Sequence, residues 1–468
     1  MNKYKKLGKN FGLLTIGSFA TTLLSYFLLP LYTAILTTEE YGTVDIINVT
    51  ISLLFPILSL VISEAVMRFC YEAGIDKRQV FNIGFWITTA GCAVMFVLSP
   101  ILFATPIQKY YLFFVVYFIS QSYSSLLGQT AKGYGYVKEY AIGGVLHSAI
   151  TIFSNILLLL GLKMGIEGYL CALIAGHVAT CIYYLIVVKC WRQFISFKSI
   201  DKAIAKEMLK YSCPMILNGV SWWISTSSDR YMVTAFCGLS ENGIYSVSSK
   251  IPTIITTISG LFMSAWNITV IEDFDVEKSK RFISDIGDKI FTLCIMVASG
   301  LIAFNQPFAH ILYNETYYSA WRITPILVVS SMLNCMSVFY GSLYTVTKKT
   351  KVLFYSTVAA SVVNIIVNLL LIPYLGGVGA AIATTLSYAI ILLIRILFSK
   401  NLMPLDMHWV RILISFALIV LQTVLSAFNT LPMIVCSFAV MIVVLAVNGK
   451  MIIELIKLSL NIIKRRTN

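Results

Sequence analysis

The chain alternates long apolar stretches with short polar loops, and the stretches are long enough to cross a membrane. A helix needs about 20 apolar residues to span about 30 Å of hydrocarbon. Fourteen stretches of about this length or longer occur, at 11–36, 44–67, 80–102, 109–131, 140–162, 165–188, 212–236, 243–270, 287–309, 321–346, 352–372, 376–398, 408–427 and 431–450. The pattern predicts an all-α polytopic membrane protein of about 14 transmembrane helices, the last ending near residue 448 or continuing toward 456.

The basic residues predict the orientation of these helices. Of 35 Lys and Arg residues, 30 lie on the termini and on alternate loops that share one side of the membrane. Only Lys109, Lys163 and Arg322 lie on the other side, and Arg230 and Lys250 fall inside apolar stretches. Because cytosolic loops carry the excess of Lys and Arg, both termini are predicted to be cytosolic.

Composition excludes several classes of protein. With 468 residues, 58% of them apolar, the chain has no loop long enough to fold alone. The net charge of +14 would suggest nucleic acid in a soluble protein, but here the basic residues flank membrane spans. Orientation and contact with anionic membrane lipids explain them better, so no nucleic-acid partner is predicted. The ten cysteines have no CxxC pair or ligand-like spacing to histidine, so no metal or cofactor is predicted.

The two halves of the chain resemble each other. Gly165 and Gly168 align with Gly376 and Gly379 at an offset of 211 residues. The turn TTEEYGTVDI (37–46) resembles LSENGIYSVS (239–248). Six spans separate the copies, and an even number preserves orientation, so the copies are predicted to be parallel repeats. This predicts two six-helix lobes around a central cavity, followed by two extra C-terminal helices.

The repeat also predicts the domain organisation. The N-terminal lobe is placed at 1–190 and the C-terminal lobe at 212–400, with helices 13 and 14 and a basic cytosolic tail at 401–468. Between the lobes lies a cytosolic amphipathic linker at 191–211. It has lysines at every fourth position and apolar residues on another face: Lys198, Lys202, Lys206, Lys210, Ile200, Ile204, Met208 and Tyr211. This spacing favours a helix along the membrane interface, and a solvated loop is the alternative.

Charged residues inside apolar stretches call for an explanation, because each costs about 2.5–3.5 kcal/mol at the bilayer centre. Arg230 and Lys250 are predicted at similar depth on two helices joined by a short turn, beside Asp229. Two cations and one anion leave a net positive charge, which favours binding of a phosphate or pyrophosphate. The alternative is that Asp229 neutralises Arg230 and that Lys250 extends to the lipid headgroups.

Further ionisable residues lie in or beside other predicted spans. Glu64 and Arg68 are one helical turn apart, either as an intrahelical ion pair or as functional residues. In the functional interpretation Arg68 contacts phosphate on the cytosolic side and Glu64 binds a proton or a cation. Asp229 and Asp45 are the other ion-coupling candidates. His147, as a lone imidazole, is more often a hydrogen-bonding residue than a switch.

Uncharged polar residues concentrate in segments four and seven. Amides and hydroxyls beside aromatic rings suit a sugar-lined cavity, because the polar groups bond hydroxyls and the rings stack on sugar faces. The candidates are Gln121, Tyr123, Gln129, Asn218, Trp222 and Trp223. Hydrogen bonding between helices is the competing explanation.

Missing motifs argue against enzymatic activity. The sequence has no GxxxxGK[ST] loop for nucleotide hydrolysis. It has no large outer loop with clustered carboxylates, which disfavours a lipid-linked glycosyltransferase or a polymerase. No channel-filter signature occurs either. No catalytic residue is therefore predicted.

Four segments carry a family resemblance: GKNFGLLTIGSFATTLLSYFLLPLYTAILTTEEYGTVDI (8–46), PILSLVISEAVMRF (56–69), LKYSCPMILNGVSWWISTSSDRYMV (209–233) and ENGIYSVSSKI (241–251). They resemble polysaccharide transporters, namely the Wzx-type O-antigen and capsular repeat-unit flippases of the MOP superfamily. The resemblance implies the MOP fold shared with MATE transporters. It also implies a bacterial inner-membrane flippase for undecaprenyl-pyrophosphate-linked oligosaccharide, working by alternating access without direct ATP use.

The resemblance further implies basic residues for the pyrophosphate, which Arg68, Arg230 and Lys250 match, and membrane lipids, glycosyltransferases and a glycan polymerase as partners. Segment one holds no charge at 11–36, whereas lipid II flippases carry arginines there. That departure disfavours lipid II as the cargo and also disfavours a multidrug exporter that relies on a carboxylate there. The alternatives are a MATE-like multidrug or cation antiporter, a membrane scaffold for glycan assembly, and an integral glycosyltransferase.

Overall fold

A computed structural model describes residues 28–72, 74–105, 107–194, 200–272, 276–347, 349, 351–400, 402–428 and 430–454. This part of the chain contains fifteen α-helices and no β-strand. The first eight are α1 Leu29–Ile35, α2 Thr38–Leu58, α3 Ile62–Phe69, α4 Lys77–Leu98, α5 Tyr111–Gly133, α6 Val137–Asn155, α7 Gly165–Val188 and α8 Lys202–Ser248. The others are α9 Thr253–Glu272, α10 Val276–Ala303, α11 Asn305–Leu312, α12 Thr324–Val346, α13 Lys351–Ser399, α14 Trp409–Ser426 and α15 Leu431–Val447.

The predicted all-α membrane fold is confirmed. Within the described residues, nine helices are long and apolar enough to cross a membrane. One of them, α13, has 49 residues and covers two predicted stretches, with a break at Gly376. Most of the first predicted stretch, residues 11–27, lies outside the described residues. The total of 14 spans therefore stays a prediction.

The chain packs as two compact units that divide between Ser228 and Asp229. The core of the N-terminal unit has one cluster around α3, α4 and α5, including Val66, Ile83 and Leu126. In the C-terminal unit a cluster joins Tyr245 to Leu327 and to residues of α13. Each unit therefore buries an apolar cluster of its own.

The second predicted stretch, 44–67, is not one continuous helix. It divides into α2 and α3, and between them Leu60 and Val61 adopt left-handed backbone conformations with φ of 51° and 50°. Such conformations cost about 1–3 kcal/mol each in residues other than glycine. Gly91 lets α4 pack closely against this break, because a Cβ at position 91 would lie only 2.1 Å from the carbonyl oxygen of Leu58. The predicted span was wrong at this point because side-chain hydropathy does not report backbone breaks.

The described part of the predicted amphipathic linker is largely helical and begins α8. Met208 is fully buried and belongs to the α3–α5 cluster, and Ile204 packs against that cluster. Lys202, Lys206 and Lys210 are exposed on the other side. The apolar face of this helix therefore packs on the core of its own unit, with the lysines facing outward. Lys198 lies outside the described residues.

Each unit places a glutamate carboxylate beside a glycine turn. In the N-terminal unit, the Glu40 carboxylate lies beside Gly165, the first residue of α7, where φ is +55°. In the C-terminal unit, the Gly377 amide donates to Glu241 Oε1 at 3.0 Å, next to Gly376 with φ +54°. Gly165 and Gly376 are aligned by the sequence repeat, and Gly377 directly follows Gly376. Both halves of the repeat thus place a carboxylate near the positive end of a helix.

A buried carboxylate anchors α14 to α10. The side chain of Asp288 is 3% exposed and pairs with His408 Nδ1 at 2.6 Å and with Arg411 at 3.2 Å. The backbone amide of His408 also donates to this carboxylate. This arrangement satisfies the buried charge through several donors, as a buried ion pair requires.

The last helix ends before the end of the predicted apolar stretch at residue 450. Helix α15 stops at Val447, Asn448 forms a turn, and residues 449–454 are helical again. The side chain of Asn448 donates to Ser415 of α14 at 2.9 Å. The amide is buried against the neighbouring helix, and this contact accounts for the position of the turn.

Candidate functional site

The N-terminal unit contains a polar cavity of about 510 Å³ between α5, α6 and α7. Its walls combine aromatic rings, amides, hydroxyls and imidazoles: Tyr117, Tyr140, Tyr184, Gln121, Gln129, Ser124, Ser125, Thr180, His147 and His177. None of the described residues that line it is Lys, Arg, Asp or Glu. A volume of this size accommodates a small ligand, and the neutral polar walls suit a ligand with hydroxyl groups.

Helical spacing places the polar residues of α5 on this cavity. Tyr117, Gln121, Ser125 and Gln129 recur at intervals of four residues, about one turn, which brings them to one face of the helix. Gly128 provides room for two rings, because a Cβ there would lie 3.3 Å from Tyr140 and 3.4 Å from Tyr184. The sugar-cavity candidates Gln121 and Gln129 therefore both reach the cavity.

The helix break before α3 brings a carboxylate to the edge of the cavity. Gln129 donates to Glu64 Oε1 at 2.5 Å, across 65 residues of sequence. Arg68 turns away from Glu64 and pairs with Glu72 at 3.3 Å, with about half of its side chain exposed. Glu64 therefore bonds the cavity residue Gln129, and Arg68 pairs with Glu72. Arg68 remains accessible near the end of α3.

The other predicted sugar-cavity residues lie elsewhere in the N-terminal unit. The hydroxyl of Tyr123 bonds Thr89 at 2.8 Å, away from the cavity lining. Trp223 donates from its indole nitrogen to the carbonyl of Val49 at 2.8 Å, which ties α8 to α2. Asn218 and Trp222 are exposed on α8. The ion-coupling candidate Asp45 is buried in α2 and does not line the cavity.

The C-terminal unit holds the other predicted ionisable cluster. Asp229 is 6% exposed and accepts hydrogen bonds from the Tyr245 hydroxyl and, at 3.4 Å, from Thr384 of α13. The Arg230 guanidinium donates to Ser249 Oγ at 3.3 Å. Ser249 precedes Lys250 in the turn between α8 and α9. The structure thus brings the guanidinium to the segment that carries Lys250, while the Asp229 carboxylate also accepts from the backbone amide of Arg230 at 3.0 Å.

The structure adds one residue that was not predicted, His177 of α7. Its ring lies 4.4 Å from that of His147, centroid to centroid, and both line the cavity. Counting residues from the helix ends to estimate depth in the membrane could have predicted it. His147 is ten residues from the start of α6 and His177 is eleven residues from the end of α7, and a short turn joins the two helices. Antiparallel neighbours bring such positions together.

Comparison with known proteins decides the family. The family described as polysaccharide biosynthesis protein matches residues 7–267, more than half of the chain. The chain belongs to this family. The resemblance that the sequence motifs indicated is therefore confirmed at this level.

Two sequence relatives are archaeal. The probable low-salt glycan biosynthesis flippase Agl15 of Haloferax volcanii is 24% identical over 308 residues, which is 63% of each protein. An uncharacterized membrane protein of Methanocaldococcus jannaschii is 25% identical over 49% of this chain and 47% of its own length. The matches thus span about half to two thirds of the relatives.

Solved structures show the fold. The lipid II flippase MurJ in an inward closed conformation aligns with a TM-score of 0.70 at 17% identity, over 95% of this chain and 99% of MurJ. An inward-facing MATE multidrug resistance transporter of the MOP superfamily aligns with a TM-score of 0.62 at 14% identity, over 83% and 98% of the two chains. The fold predicted from the sequence, MOP and MATE-like, is confirmed.

Proposed function

We propose that this protein is a flippase that moves undecaprenyl-pyrophosphate-linked oligosaccharide repeat units across the bacterial inner membrane by alternating access. The observation that carries the proposal is the neutral polar cavity of about 510 Å³ within a membrane protein of the polysaccharide biosynthesis family. An unpaired hydroxyl in hydrocarbon costs several kcal/mol. Amides and rings such as Gln121, Gln129 and Tyr117 remove that cost by bonding and covering the glycan. The Haloferax relative, named as a glycan flippase, supports the same class of cargo.

The pyrophosphate binds Arg230 and Lys250. A guanidinium and an ammonium give charge-assisted bonds to phosphate oxygens, and the Arg230–Ser249 contact holds the first of them in place. Arg68, half-exposed near the end of α3, is a further contact for phosphate on the cytosolic side. The glycan itself needs no charged partner, which agrees with the neutral lining of the cavity.

Ion coupling involves the carboxylates predicted from the sequence. Asp229 is buried between a phenol and a hydroxyl, and Glu64 bonds the cavity residue Gln129. Both are placed where a change of charge would alter packing between helices. Asp45 is buried in α2 and does not line the cavity, so it is the weakest of the three candidates.

The chemistry of the cargo defines the partners. Glycosyltransferases on the cytosolic side must assemble the lipid-linked oligosaccharide, and a polymerase on the other side must consume it. Membrane lipids surround the helices, and both termini lie in the cytosol. A reporter fused after residue 468 that fluoresces only in the cytosol tests this orientation.

Deletion and complementation test the function. A strain without the gene is expected to lose surface glycan and to accumulate lipid-linked oligosaccharide on the cytosolic leaflet. Arg230→Gln and Lys250→Gln should fail to restore export at equal membrane abundance, and the exposed Lys109→Gln should restore it. Export that is normal in both charge variants would support the scaffold alternative instead.

A second pair of variants tests the cavity. Gln121→Leu and Gln129→Leu remove hydrogen-bonding groups from its wall, so export should fall in both. Tyr123→Phe removes a hydroxyl that bonds Thr89 outside the cavity, and it should leave export unchanged. Resistance to cationic drugs that survives Arg230→Ala would favour an antiporter. Sugar transfer by the purified protein would indicate a glycosyltransferase.

A further inference from the structure

A lysine without an assigned role lies at one end of the neutral cavity. Lys132 is one residue before the end of α5, at the predicted cytosolic surface of the membrane. It follows Gly128 by four residues, so it continues the face of α5 that presents Gln121 and Gln129 to the cavity. Its ammonium lies 4.0 Å from the centre of the Tyr140 ring, and Tyr140 lines the cavity. Lys132 therefore places a cation beside walls that are otherwise uncharged.

No carboxylate in the described part of the chain pairs with Lys132. Two carboxylates in and just after α3 have other partners, because Glu64 accepts from Gln129 and Glu72 pairs with Arg68. The Lys132 side chain is also only partly exposed to solvent. A cation that has lost part of its water and has no anion beside it gains most from a charge-assisted bond to an anionic ligand.

The end of α5 does not need this ammonium as a cap. The last carbonyls of a helix have no helical partner, and a nearby lysine often bonds them. Here the Tyr71 hydroxyl donates to the Lys132 carbonyl at 2.7 Å, and Lys77 Nζ donates to the Gly133 carbonyl at 3.5 Å. Backbone amides of the turn that follows bond the three carbonyls before Gly133. The Lys132 ammonium is therefore left over the ring of Tyr140, at the edge of the cavity.

The groups beside Lys132 suit a sugar that is joined to a phosphate. The rings of Tyr140 and Tyr184 are parallel within 4°, with their centres 6.5 Å apart. Aromatic faces of this kind stack on sugar rings, and the neighbouring amide of Gln129 can bond a sugar hydroxyl. A phosphate on the anomeric carbon of such a sugar would lie at the edge of the cavity. A cation at that edge is in the position to bind it.

The depth of Lys132 agrees with the position of a lipid phosphate. Helix α5 ends at Gly133, and the phosphates of lipids in the cytosolic leaflet lie just outside the hydrocarbon layer, level with helix ends. The bond from Tyr71 to Lys132 also brings the end of α3, which carries Arg68, to the end of α5. Lys132 and the predicted phosphate contact Arg68 thus lie at the same end of the N-terminal unit.

We propose that Lys132 binds the phosphate of the lipid-linked sugar while the sugar enters the cavity from the cytosolic side. The inference rests on the proposed flippase function. It adds a phosphate contact at the edge of the cavity to the predicted contacts Arg68, Arg230 and Lys250. The ligand is a glycosyl phosphate, whose phosphate oxygens bond the ammonium while the cavity wall holds the sugar. A free phosphate or a membrane phospholipid offers only the first of these contacts and should bind more weakly.

Two radiolabelled probes separate the phosphate contact from the cavity. One is farnesyl-pyrophosphoryl-N-acetylglucosamine, and the other is the neutral farnesyl N-acetylglucosaminide. Binding of each probe to the full chain is measured in phosphatidylcholine nanodiscs, with protein-free nanodiscs as the blank. Lys132→Gln should weaken binding of the pyrophosphoryl probe by about tenfold and leave binding of the neutral probe unchanged. Lys138→Gln is the matched control, because this lysine at the same end of the unit is exposed, and it should bind both probes as the wild type does.

Several results would overturn the proposal. Equal losses for the two probes in Lys132→Gln would show that the lysine only supports Tyr140, and no loss for the pyrophosphoryl probe would show that it makes no contact. A wild type that binds the two probes equally, or binds neither, would also count against the site. Displacement of the pyrophosphoryl probe by phosphatidylglycerol or inorganic pyrophosphate, as readily as by unlabelled probe, would indicate a general anion contact instead.

Transport tests the proposed function separately. The wild type in proteoliposomes is expected to move the pyrophosphoryl probe between leaflets, and Lys132→Gln should need a higher probe concentration to reach half of its maximal rate. A wild type that binds the probe through Lys132 but moves none of it would count against the flippase function and leave the phosphate site standing.

Discussion

The contact between Glu241 and the glycine turn of α13 leads to a quantitative prediction. Gly376 interrupts α13 with a positive φ, and Gly377 restarts the helix with its amide directed at Glu241 Oε1, 3.0 Å away. The carboxylate therefore acts as a cap for the second half of α13, although it lies 136 residues earlier in the chain.

Two substitutions separate the hydrogen bond from the charge. Glu241→Ala removes both, and a hydrogen bond to a charged group is worth about 1.5–3 kcal/mol. Glu241→Gln keeps an acceptor of similar shape and loses only the interaction of the charge with the helix terminus, about 0.3–1 kcal/mol. The alanine variant should therefore be destabilised by more than the glutamine variant.

The assay is unfolding in mixed micelles by titration with SDS, followed by the fluorescence of the seven tryptophans. The free energy of unfolding should fall by about 1.5–3 kcal/mol for Glu241→Ala. Glu315→Ala is the matched control, because this glutamate of the same unit is exposed. Its effect should stay within about 0.5 kcal/mol. Equal stability of Glu241→Ala and this control would refute the capping interpretation.

Three further predictions concern packing and thiol reactivity. Gly91→Ala should sharply reduce folded protein, because the new Cβ would overlap a carbonyl at the helix break, and yield in size-exclusion chromatography measures it. Asp288→Asn should cost about 3–5 kcal/mol in the same SDS titration, because it removes the anion of a buried ion pair. Burial raises the pKa of the Cys70 and Cys190 thiols to about 12, so at pH 8 nearly all of each is protonated. Both should resist maleimide until the protein is unfolded.

Matched variants define what would contradict these predictions. Gly300→Ala should be tolerated, since nothing lies within 4 Å of its added Cβ. Asp285→Asn breaks a half-exposed pair with Lys289 and should cost less than about 1 kcal/mol. Equal effects of the two glycine variants, or of the two aspartate variants, would contradict the packing described for Gly91 and Asp288. Fast labelling of Cys70 in the folded protein would contradict its burial.

The sequence alone determined the class of the protein. Apolar length specifies membrane-spanning helices because hydrocarbon cannot satisfy backbone hydrogen bonds. The repeat and the quoted motifs pointed to the family that the comparison confirmed. The concentration of polar residues in segment four also predicted Gln121 and Gln129, which share one face of α5 because they lie two turns apart. Tyr123 lies two positions from Gln121, and therefore on another face.

Tertiary structure decided which of these side chains meet. The left-handed residues Leu60 and Val61 break a stretch that hydropathy shows as continuous, and the break delivers Glu64 to Gln129. His177 joins His147 only because α6 and α7 pack antiparallel at one depth. Hydropathy reports how favourably each residue leaves water. It does not report the backbone angles and helix rotations that choose a side chain's neighbours, and those depend on close packing between distant segments.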